Sequence, residues 1–201
     1  NGIYYFCFED AEEKLSDIYS YEVKKVDTTA PTVAIDSIVV ANDGASTKST
    51  IKVTAKDPAD DNGYASGIKE VYLSSDKNGE KNIAGATLNG DTYEISFDGD
   101  VTSDSYYIVA SDNTVTADGK GNQTIESVDG FTMTVSFSDV SWAQSKDVTV
   151  ETNDAEAEIK WNDASVTLKE DENNVFLVKN QGTYTVTATS SSSSADCTFE
   201  I

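Results

Sequence analysis

Tyr106-Tyr107-Ile108-Val109-Ala110-Ser111-Asp112 is the stretch whose reading decides the fold, because the chain carries it three times. Its counterparts are Gly2-Ile3-Tyr4-Tyr5-Phe6-Cys7-Phe8, and Gly182-Thr183-Tyr184-Thr185-Val186-Thr187-Ala188. Tyr106-Tyr107 and Asp112 follow Tyr4-Tyr5 and Asp10 at an offset of 102 residues. The same offset separates Val128-Asp129 from Val26-Asp27 and Thr134-Val135 from Thr32-Val33. A register kept without gaps across the end of one unit and the start of the next marks tandem modules. Tyr184 follows Tyr106 by 78 residues, so the last unit is 24 residues shorter. The chain therefore divides into a remnant (1–27), a full module (28–127) and a compact module (128–201).

Outward from that stretch the pattern is short strands and tight turns. In Thr50-Ile51-Lys52-Val53-Thr54-Ala55-Lys56, Ile51, Val53 and Ala55 share one face and Lys52, Thr54 and Lys56 the other, the period of a half-buried strand. Residues 68–73 and 80–83 flank Asp76-Lys77-Asn78-Gly79, and residues 86–88 and 92–97 flank Asn89-Gly90, a dipeptide suited to a type I′ hairpin turn. Residues 106–111 and 123–128 complete about seven strands at β-sandwich spacing. The compact module shows strands at 131–137, 148–152, 156–161, 165–168, 175–178, 183–189 and 198–201. The reading is all-β, with no sustained helical period. Ala157, Ile159 and Trp161 share a face, which makes Trp161 a core plug rather than a ligand platform; Trp142, in the turn at residues 140–143, has no such register. Tyr4, Tyr106 and Tyr184 begin strands where a hydroxyl can reach back to a nearby carbonyl while the ring enters the core. Pro31, with no amide donor, suits the opening of an edge strand.

Composition narrows function. The formal net charge is −22, from 36 acidic residues against 14 basic ones, all lysine. Such a field repels phosphates and anionic lipid heads, so nucleic acid and membrane surfaces are not expected partners. No histidine is present, which removes the usual general base near neutral pH and the commonest zinc ligand. With 38% hydrophobic residues in alternating runs, the acidic chain reads as folded. It has no apolar run of membrane-spanning length. Starting at Asn1-Gly2 directly before a strand, it reads as an internal piece of a longer precursor. By alternation Cys7 faces outward while Cys197 lies in another module, so no disulfide is expected.

A resemblance emerges from the order of several short motifs: Thr28-Thr29-Ala30-Pro31 opening a module, Ala55-Lys56-Asp57 ending a strand, Ser66-Gly67-Ile68 before the next, then Tyr106 to Asp112 and Gly121-Asn122. In this order they resemble the bacterial immunoglobulin-like (Big-type) tandem repeats of Gram-positive cell-surface and adhesin proteins. The resemblance covers 28–127 well and 1–27 as the end of a preceding repeat; in 128–201 it is weaker, because the Ser-Gly-Ile and Gly-Asn elements are missing. It implies immunoglobulin-like β-sandwiches in a secreted, wall-attached or surface-layer protein, acting without catalysis as spacer and adhesion module. The expected partner is a host or cell-surface protein or glycan, the expected location extracellular, and the expected state of the intact protein monomeric.

The residues that could carry chemistry are carboxylates. Asp57, Asp60, Asp61 and Asn62 crowd the loop after one strand; Asp112, Asn113, Asp118 and Asn122 crowd the loop after another. If the second and sixth strands of the sandwich run parallel, both loops leave at the same end. Converging oxygens there would suit Ca²⁺, which takes six to eight oxygen ligands. The plainer reading is that Asp and Asn occur in turns because they bond the local backbone. A glycosidase pair would need one acid of raised pKa in a cleft, and nothing singles such a pair out. The alternative function is a carbohydrate-binding accessory segment of a secreted polysaccharide-active enzyme, stacking sugars on Tyr5, Tyr64, Tyr72 or Tyr107.

Overall fold

The computed structural model describes residues 2–24, 26–61, 63–137 and 144–201, all strands, bridges, turns and loops without a helix; Asn62 and the turn at 140–143 with Trp142 lie outside them. Strands β1 (Gly2–Phe6) and β2 (Tyr19–Val23) form an antiparallel hairpin of their own. Strands β3 (Thr32–Asn42), β4 (Thr47–Lys56), β5 (Ile68–Ser74), β6 (Asn82–Asn89), β7 (Thr92–Asp98), β8 (Tyr107–Asp112) and β9 (Gln123–Ser127) follow. They pair in the order β3-β4-β7-β6 and β5-β8-β9. Ile38, Val40, Ile51, Val53, Val71, Leu73, Ile95 and Ile108 fill the space between these two layers.

The same order recurs further along. Strands β10 (Thr132–Phe137), β11 (Lys146–Thr152), β12 (Glu158–Trp161), β13 (Thr167–Leu168), β14 (Val175–Val178), β15 (Thr183–Thr189) and β16 (Ser194–Glu200) pair as β10-β11-β14-β13 and β12-β15-β16. In both cases the first, second, fifth and fourth strands make one sheet and the third, sixth and seventh the other. Trp161 packs against Phe176 and Phe199 at the edge of the second core, the plug that its register predicts. The Tyr184 hydroxyl donates to the Asn180 carbonyl at 2.9 Å while its ring is buried, and Tyr106 packs on Phe97 instead. Cys7 is exposed, Cys197 is buried, and both are free thiols.

Two local readings change. The segments 80–83 and 86–88 are parts of one strand, β6, which pairs with β5 through Asn82–Gly85 and with β7 through Ala86–Asn89. Such a strand turns the corner between two sheets. In the hairpin after it Asn89 pairs with Thr92, and Gly90 takes φ 63° while Asp91 keeps an ordinary φ. That is the pattern of a type II′ turn, not I′.

The larger departure concerns β3. Its first half, after Pro31, pairs with β4 alone, as an edge strand should. From Ile38 to Asn42 it also pairs in parallel with Thr132–Ser136 of β10, which places this half in the interior of a continuous sheet. A bulge at Asp36 shifts the register there. Side chains then alternate between two cores: Ile38 and Val40 enter the first, Val39 the second with Met133 and Val135. Buried on both faces, Ile38-Val39-Val40 is a continuous apolar run where a half-buried strand would alternate. Gly130 lies close against Ile35 just before β10, where a Cβ would stand 3.2 Å from the Ile35 side chain, a tight contact. The two sandwiches thus share a strand.

Candidate functional site

Asp27 precedes β3, Asp57 follows β4 and Asp112 ends β8, and these three positions meet at one end of the first sandwich. One carboxylate oxygen from each lies within 4.8 Å of the others. Asp112 is fully buried and Asp27 nearly so. The two glycine motifs of the sequence explain how buried acids are tolerated. Ser66 donates its amide to Asp27 at 2.8 Å, and Gly67, at φ 84°, donates to Asp57 at 2.6 Å. Asn122 gives Asp112 both its amide and its side-chain nitrogen, each at 2.8 Å, and Thr114 adds a further amide at 2.9 Å. Gly121, at φ 79°, passes so close to Asp112 that a Cβ would collide with its backbone oxygen. Thr29 completes the shell on Asp27 at 3.0 Å.

The three acids are not equivalent electrostatically. Burial pushes Asp57 above the usual carboxylate range against its Gly67 hydrogen bond, and the charges of Asp27 and Asp112 push the same way. For Asp27 burial works upward too, but hydrogen bonds from Thr29 and Ser66 outweigh it and hold the carboxyl below its ordinary value. Asp57 Oδ1 is buried without a hydrogen-bond partner. An all-oxygen donor set with one uncommitted buried oxygen fits a hard cation such as Ca²⁺ better than zinc or copper.

Of the sequence candidates, the fold brings Asp57 and Asp112 together, with Asn122 as a donor to Asp112, and does not group Asp60, Asp61, Asn113 or Asp118 with them. Asp60 accepts the Tyr64 amide, Asp61 is exposed, and Asp118 is held by Thr116 and Lys120 in its own turn. Asn113 turns its side-chain nitrogen to the Ser66 and Gly67 carbonyls. Asp60 and Asp118 do what Asp does in turns generally, whereas Asn113 ties its loop to the Ser66–Gly67 turn. Asp27 was not among the candidates, although its recurrence as Asp129 marked the position. Of the tyrosines considered for sugar stacking, Tyr72 is buried and donates to the Gly79 carbonyl at 2.7 Å, which corrects its reading as an outward ring. Tyr64 and Tyr107 are half-buried, and Tyr5 is exposed on the hairpin. A groove of about 440 Å³ at the junction is lined in part by Asp104, Asp129, Glu151 and Asn153.

The strand order of both sandwiches defines immunoglobulin-like domains. No family model and no curated protein matches the sequence. Among solved structures the chain is similar to a chimeric titin Z1Z2 functionalised with a KLER exogenous peptide from decorin, at 15% identity and TM-score 0.30, covering 87% of this chain and 96% of that one. It is also similar to an I-band fragment from titin, at 14% identity and TM-score 0.26, covering 87% of this chain and 65% of that one. Superpositions this loose carry no weight, and the assignment stands on strand order.

Proposed function

We propose that the chain is a non-catalytic spacer and adhesion segment of a secreted or wall-attached bacterial surface protein. Its Big-type immunoglobulin-like modules span 28–127 and 128–201, with 1–27 closing a preceding module. The observation that supports a spacer is the shared strand: a parallel ladder joins the sandwiches where a plain linker would let them swivel. The acidic surface suits an extracellular protein that binds a host or cell-surface protein or glycan through displayed faces. Asp27, Asp57 and Asp112 hold a calcium ion in this reading, which offsets three converging negative charges and ties the segment before β3 to the loops after β4 and β8.

Calcium titration of the full chain, followed by regional hydrogen exchange, tests this reading. Calcium is expected to slow exchange around residues 57–67 and 112–122, and to leave the turn at 190–193 unchanged, since serines occupy it. Asp112→Asn should abolish the response. A uniform response in both regions would mean charge screening and remove the ion from the account. Protease treatment of intact cells tests location: failure to release the segment would contradict surface display. Turnover on a glycan and peptide panel, lost on changing a single acid, would overturn the non-catalytic reading.

A further inference from the structure

Among the described residues the β1–β2 hairpin gathers much of the exposed apolar surface, with Ile3 and Tyr5 on one face and a larger aromatic group on the other. Tyr4 pairs with Tyr21 and Phe6 with Tyr19, so these four rings share a face, which Phe8 extends. Phe6, Phe8 and Tyr19 cluster with centroids 5.9–6.0 Å apart. Yet Tyr4 is 59% exposed, Phe6 47%, Phe8 64%, Tyr19 50% and Tyr21 67%.

Position by position, the part of this face that β1 supplies is a core face. At the offset of 102, Tyr4, Phe6 and Phe8 correspond to Tyr106, Ile108 and Ala110, and at the further 78 to Tyr184, Val186 and Ala188. Ile108, Ala110, Val186 and Ala188 have no exposed surface. The turn after the strand matches as well. Asp10 accepts the amide two residues on, from Glu12, at 2.9 Å; Asp112 accepts that of Thr114 at 2.9 Å, and Ser190 that of Ser192 at 3.4 Å. Strand β1 is therefore built as the sixth strand of a sandwich, while β2 pairs with it in a register of its own, Tyr5 opposite Ser20 where its counterpart Tyr107 stands opposite Ser127.

Charge and tethering decide what covers it. The five rings expose the equivalent of just under three aromatic side chains, roughly 400–700 Å² in all. A second copy would bring another 22 net negative charges to the same face. A sheet in the same polypeptide loses no translational freedom on docking. We propose that the aromatic face of β1–β2 is the docking surface for a four-stranded sheet of its own immunoglobulin-like module, equivalent to β3-β4-β7-β6 and supplied by the same polypeptide on the N-terminal side. Phe8 stands where the next module has Ala110, so that sheet presents smaller side chains opposite it than β4 and β7 do.

The inference rests on the modular reading above, and a fusion tests it separately. Residues 28–102 are duplicated directly ahead of Asn1, which keeps the 102-residue register, once with the native hairpin and once with Phe6→Ile and Phe8→Ala to match the core volume. Amide exchange at residues 2–8 and 19–23 is expected to slow at least 100-fold in the volume-matched fusion relative to the 201-residue chain. Ile51→Asp with Ile95→Asp in the duplicated copy should cancel the effect. Unchanged hairpin exchange in both fusions, with residues 32–201 still protected, would overturn the docking proposal and leave the modular reading standing. Protected hairpin amides in the 201-residue chain, together with a dimeric mass at micromolar concentration, would overturn it in favour of a second copy.

Discussion

Val39→Ala is the substitution that separates a shared strand from two neighbouring but independent domains. Val39 belongs by sequence to the first strand of the middle module, yet its side chain is packed with Met133, Val135, Val148 and Val150 of the other core. Removing two methyl-sized groups from a buried site loses about 1.6 kcal/mol of transfer free energy. The cavity left behind brings the total to about 2–3 kcal/mol. Both tryptophans lie beyond residue 128, so tryptophan fluorescence reports the compact module alone. With an m-value of about 1–3 kcal/mol/M, the urea midpoint seen by tryptophan should fall by about 0.7–3 M. Ile38→Ala, one residue earlier but facing the first core, should shift mainly the tyrosine-reported transition of the middle module. If Val39→Ala leaves the tryptophan midpoint unchanged and moves only the middle module, the double burial of β3 is wrong.

Gly121→Ala should destabilise the middle module by more than about 1 kcal/mol in thermal melts and weaken any calcium response, because the residue needs positive φ and its Cβ would displace Asp112. Tyr184→Phe removes the hydroxyl bond to Asn180 and should cost about 1 kcal/mol on the tryptophan-reported transition. Asp57→Asn should raise the melting temperature near neutral pH in the presence of a chelator. A carboxyl whose folded pKa lies above its unfolded value gives its full stability below the unfolded pKa and loses it as pH rises through the folded one. The gain should therefore vanish in acid, where the wild-type Asp57 is protonated, and reverse in calcium if the ion binds there. Asp27, held below its ordinary value, has the opposite sign: its contribution is present above the unfolded pKa and is lost as pH falls through the folded one.

Strand positions were legible wherever one face is dry and the other wet, as in Ile51, Val53 and Ala55 against their lysine and threonine neighbours. The reading failed where that condition lapsed. Asn82 to Asn89 looked like two strands because one strand serves two sheets and its largest apolar residues, Ile83 and Leu88, stay exposed. The second half of β3 was hidden by Pro31, which announces an edge that lasts only to the bulge, although the unbroken run Ile38-Val39-Val40 signalled burial on both sides. At the carboxylate cluster, alternation and loop position located Asp57 and Asp112, because parallel strands deliver their loops to one end. Asp27 reaches the cluster from outside the sandwich strands, so no strand pattern pointed to it. Its amide donors Thr29 and Ser66 lie 2 and 39 residues away, a separation that only the folded chain closes.

The central claim is that β3 makes one body of two sandwiches, and residual dipolar couplings measured on the full chain in a dilute aligned medium test it most directly. Amides of residues 32–127 and of residues 146–200 should fit a single alignment tensor on this geometry. Two tensors of different magnitude or orientation, one for each sandwich, would show that the β3–β10 ladder does not hold in solution and would contradict the account.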